Sequence, residues 1–125
     1  MTDIIIVLNK IIENSNRIDQ VVYIDRTFYF VYMKQYLWSI QKQDGTESAE
    51  YTVEFYPKAQ FKAKDHRLYI EQLLSNNNDE EAVAFTYSTQ TYNSITAVET
   101  FEDLYRVVSG GNLGANEAFQ AILNS

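Results

Sequence analysis

Residues Val21–Gln43, VVYIDRTFYFVYMKQYLWSIQKQ, decide the fold. They hold seven of the eighteen aromatic residues, among them Trp38, the only tryptophan. Apolar residues recur here with a period of two, which is the mark of β-strands. Val21–Ile24 reads as a short strand, Asp25-Arg26 as a tight connection and Thr27–Met33 as the next strand. In that strand Phe28, Phe30 and Tyr32 point one way, and Tyr29, Val31 and Met33 the other. Apolar residues on both faces predict a central strand covered on both sides. Met33-Lys34-Gln35 is a turn. Tyr36–Gln43 then carries Tyr36, Trp38 and Ile40 on a packed face, with Ser39, Gln41 and Gln43 on a wetter one.

The reading extends outward from there. Asp44-Gly45 opens a polar loop through Glu50 and marks a hairpin. Tyr51–Tyr56 returns with Tyr51, Val53 and Phe55 facing the core, and Pro57, the only proline, ends it. On the other side, residues 2–13 place Ile4, Leu8, Ile11 and Ile12 at helical spacing, with Thr2 or Asp3 as cap. The β-branched run Ile4–Val7 offers a strand as the alternative. Asp65 caps a helix over 66–75, and Ala82–Thr89 forms another strand. Residues 90–99 fit either a strand or the approach to a helix. Thr100, with Asp103 in a capping-box spacing, opens a helix that Gly110-Gly111 ends. A last helix covers about 115–123. Consecutive strands argue for hairpins over βαβ crossovers. The predicted fold is α+β: a mostly antiparallel sheet of about five strands, an N-terminal helix and two C-terminal helices, in a single domain spanning 1–125.

Composition narrows the function classes. The 125 residues are 46% hydrophobic and 22% charged, which is ordinary for a globular protein. No cysteine is present, so disulfides, thiolate nucleophiles and Cys-ligated metals are excluded. His66 is the only histidine and no Gly-x-Ser-x-Gly elbow occurs, which argues against a Ser–His hydrolase. One histidine without cysteine is too few for a zinc site. Glu80-Glu81 and Glu102-Asp103 are neighbours in sequence, and neighbours on a strand or helix point apart. The loop over 76–81, NNNDEE, lacks the order and the turn glycine of a calcium loop. The expectation is a protein without enzymatic activity, metal or cofactor. The N-terminal apolar run is interrupted by Asn9 and Lys10 and lacks the positive charge of a secretion signal, so a cytoplasmic, membrane-free location is expected.

Two features point to binding. Lys58, Lys62, Lys64 and Arg67 stand against the single acid Asp65, so that segment carries +3 and the rest of the chain −10, summing to the net −7. Residues 79–105 carry six acids and no base. The basic segment could meet phosphate, nucleic acid or an acidic protein face, or the two segments could be complementary halves of a polar interface. Solvated surface is the plainer alternative. The second feature is tyrosine, ten in 125 residues, a residue enriched at interfaces because it pairs an apolar ring with a polar tip. The candidate binding residues are therefore Tyr29, Tyr36, Trp38, Tyr51, Lys58, Lys62, Lys64 and Arg67. The function expected is a protein-interaction module, such as a regulator, inhibitor or chaperone-like accessory protein. It would dock another protein, or a second copy of itself, through a tyrosine-rich sheet face or an acidic surface. Binding of nucleic acid or phosphate through the basic segment is the first alternative, and a sheet-lined ligand pocket or small enzyme the second.

Overall fold

The computed structural model describes residues 3–45, 49–59, 66–75 and 80–111, with His66 in its backbone only. The element order is α1 (Ile4–Glu13), β1 (Ile18–Ile24), β2 (Thr27–Tyr32), β3 (Tyr36–Gln43), β4 (Glu50–Tyr56), α2 (His66–Ser75), β5 (Phe85–Ser88) and α3 (Ile95–Arg106). The five strands form one antiparallel sheet in the order β1-β2-β3-β4-β5. This is the α+β arrangement read from the sequence, with one helix before the sheet and two in the C-terminal half. The helix expected over 115–123 and the Asp65 cap lie outside the described residues.

The helix reading of the N-terminus holds. Asp3 caps α1, its Oδ1 accepting from the Ile5 N–H at 2.9 Å. Ile4, Leu8 and Ile11 are buried on one stripe, each worth about 2 kcal/mol relative to exposure. The β-branched run does not override this, because a helix here seals that stripe against the sheet.

Both faces of the sheet are covered in its middle, as β2 requires. Phe30, Tyr32, Trp38, Ile40 and Val53 pack with α1 and with Phe101 and Leu104 of α3. Tyr29, Val31, Leu37 and Tyr56 pack on the opposite face with Ile70 and Leu73 of α2. The second face of β3 is therefore drier than its Ser39 and Gln41 suggest. Ser39 is only 2% exposed, and its Oγ lies 3.5 Å from Tyr56 Oη. Leu37 shares that face and draws it under α2.

Three elements start three or more residues away from the sequence reading, each for a local reason. Strand β1 begins at Ile18, and its register shifts between Asp19 and Val22, with Gln20 at φ 51°. That bulge breaks the alternation by which strands are recognised. Strand β5 is trimmed to Phe85–Ser88 because Glu80–Ala82 forms a 3-10 turn. Helix α3 starts five residues before Thr100. Ser94 is its cap, accepting from the Ala97 N–H at 3.1 Å. Thr100 is buried inside the helix, its hydroxyl donating to Thr96 O at 3.1 Å and to Asn9 Oδ1 at 3.4 Å. Glu102 and Asp103 accordingly lie in the second half of α3, away from its positive end, and Asp103 pairs with Arg106 at 3.0 Å.

Candidate docking groove

Pairing register builds the site. Phe30 is opposite Trp38, Trp38 opposite Phe55, and Phe55 opposite Phe85. Four aromatic residues thus form one row across β2, β3, β4 and β5, on the face that carries α1 and α3. Their exposure rises outward: Phe30 is 0% exposed, Trp38 6% and Phe85 57%. Helix α1 seals the inner end of the row. It does not reach the corner formed by β3, β4 and β5.

A groove of about 720 Å³ lies between α1 and that corner. Ile6 and Val7 of α1 form one wall; Tyr36, Trp38, Phe55 and Tyr87 form the other. Ring centroids are 4.6 Å apart for Trp38–Phe55 and 6.3 Å for Tyr36–Phe55, so the sheet wall is one aromatic surface. Ile6 is 65% exposed and Tyr36 41%. Lys10 and Glu13 stand at the rim with opposite charge. Trp38 Nε1 is buried and has no hydrogen-bond partner among the described residues.

The proposed binding residues separate in space. Tyr36 and Trp38 share the groove. Tyr29 lies on the opposite face under α2, its ring 6.3 Å from that of Tyr56. Burial, reinforced by Tyr56 and Glu54, pushes its hydroxyl far above the ordinary tyrosine range. Tyr51 is buried against Tyr105, with centroids 5.6 Å apart, and burial and then Glu102 raise its hydroxyl as well. Lys58 is exposed past the end of β4. Arg67 is exposed on α2, where its Nε lies 3.0 Å from Glu71 Oε1. Lys62 and Lys64 lie outside the described residues.

The groove also contains residues that strand patterns did not single out. Ile6 was legible in principle: it falls off the Ile4, Leu8, Ile11 stripe, so a helix must expose it. Alternation puts Phe55 on the core side of its strand, and Tyr87 shares a face of β5 with Phe85. Their partial exposure depends on strand order and on where α1 ends, which periodicity does not encode. Among the described residues no three His, Asp or Glu side chains converge as metal ligands. No helix among them is long and apolar enough to cross a membrane. No protein-family model, curated protein or solved structure matches the chain.

Proposed function

We propose that this chain is a non-enzymatic protein-interaction module that docks its partner on the groove between α1 and the β3–β4–β5 corner. One observation carries the reading: the aromatic row that begins sealed at Phe30 ends open at Phe85, with Tyr36 and Ile6 exposed beside it. Rigid aromatic residues partly buried in a preformed surface are the usual anchors of protein interfaces. The inner, sealed half of the row holds the outer half in place.

The test is comparative capture from the source cell, with wild type and Ile6→Asp as baits. Ile6 is exposed, so the charge leaves the fold intact. A partner retained by wild type and lost with Ile6→Asp supports the reading. An identical set of captured proteins overturns it. A small-ligand site is the second reading, favoured by Trp38 Nε1, unpartnered among the described residues, and by a groove volume within the range of ligand pockets. It predicts that native mass spectrometry of the purified chain finds a bound small molecule and that Ile6→Asp releases it.

A further inference from the structure

The groove ends at β5, and β5 is the edge of the sheet among the described residues. The two edges are built differently. Edge β1 carries a bulge and Asp19, both of which discourage pairing with another strand. Edge β5 reads Phe85-Thr86-Tyr87-Ser88, with no charge, no proline and no bulge. The Thr89 N–H donates to Tyr51 O at 3.0 Å, which fixes the alternation of the backbone. Residues 85, 87 and 89 turn their N–H and C=O toward β4, so Thr86 and Ser88 turn theirs away from the sheet. The Ser88 carbonyl is taken by the following turn, accepting from the N–H groups of Thr91 and Tyr92. Among the described residues, the Thr86 N–H, the Thr86 C=O and the Ser88 N–H are left pointing outward beside the exposed ring of Phe85.

Charge then discriminates between occupants. Glu80 and Glu81 form the turn that leads into β5, Glu54 is opposite Thr86, and Glu50 accepts from Gln90 Nε2 beyond the far end of the strand at 2.9 Å. Among the described residues, Lys58, past the end of β4, is the cation set against them. Two copies joined edge to edge would bring these carboxylates together, and like charges across an interface oppose it. A basic strand meets them favourably. Resting on the groove reading above, we infer that the partner contributes a basic, extended peptide segment. It pairs with β5 as a sixth strand and turns an apolar side chain into the groove that Tyr87 and Ile6 line. This is the β-augmentation mode, in which backbone bonds give affinity and alternate side chains give specificity.

The backbone geometry supplies a selective test. Proline at position 86 removes an N–H that makes no bond to β4, so Thr86→Pro spares the ladder and blocks the added strand. The probe is a fluorescent heptapeptide of alternating lysine and valine, titrated into the full chain and read by anisotropy. Binding to wild type that weakens about tenfold or more in Thr86→Pro, with an unchanged circular dichroism spectrum, supports the inference. Equal binding by Thr86→Pro overturns it, as does equal binding of a glutamate–valine peptide by wild type. If Thr86→Pro fails to fold, Phe85→Lys places a cation on the exposed edge and should weaken binding likewise; unchanged binding again overturns the inference. A wild-type dimer by light scattering that becomes a monomer in Thr86→Pro overturns it in favour of a second copy. Ile6→Lys keeps the failures apart: if it binds the peptide like wild type while Thr86→Pro does not, the groove reading fails and strand addition stands.

Discussion

Trp38 and Phe55, cross-strand partners with ring centroids 4.6 Å apart, mark the boundary between scaffold and surface in this protein. Inward of them the aromatic row is sealed by α1; outward it is open. Substitutions on the two sides should therefore behave differently. Phe30→Ala empties a fully buried ring position and should cost about 4 kcal/mol by denaturant unfolding. Ile6→Ala, on an exposed side chain, should stay within about 0.5 kcal/mol. A large loss of stability at Ile6 would show that the open wall is structural.

The β1–β2 hairpin carries strain that can be relieved. Asp25 and Arg26 link Ile24 to Thr27 with φ of 50° and 65°, the two-residue geometry that favours glycine at its second position. Arg26→Gly should raise stability by about 1 kcal/mol, read as a higher midpoint of unfolding. A lower midpoint would mean that the Arg26 side chain contributes more than its backbone costs.

Glu54 gives a pH signature. Burial pushes its carboxyl above the ordinary value of 4.5. As pH rises through the carboxylate range, the unfolded chain therefore gives up this proton first, and the folded state loses ground until its own proton leaves. Glu54→Gln should melt higher than wild type at neutral pH. The gain should vanish below the ordinary carboxylate value. A gain that persisted in acid would point to packing instead of charge.

The start of α3 can be checked directly. Ser94→Ala removes the cap on the Ala97 N–H and should cost about 1 kcal/mol. The helix was hidden there because Ile95 and Thr96 are β-branched and Thr100 resembles a cap. Only the fold reveals that Thr100 is buried against Asn9. Elsewhere the sequence was informative. Alternation in β2 placed Phe30 and Tyr29 on opposite covered faces, and the Ile4, Leu8, Ile11 stripe placed α1. The candidate site was legible only in part. Tyr36 and Trp38 were named from composition and fall in the groove. Tyr29 and Tyr51 were named on the same grounds and are buried elsewhere, because a tyrosine ring suits a sealed core as well as a rim. The open corner arises from strand order and helix length together, and no local pattern contains it.

Photo-crosslinking from two positions tests the docking claim most directly. A photoreactive amino acid at position 6 stands on the groove wall. At position 68 it stands on α2, across the sheet, where Leu68 is also half exposed. Expressed in the source cell, the chain should crosslink one partner from position 6 and not from position 68. The same products from both positions, or none from position 6, would contradict the account.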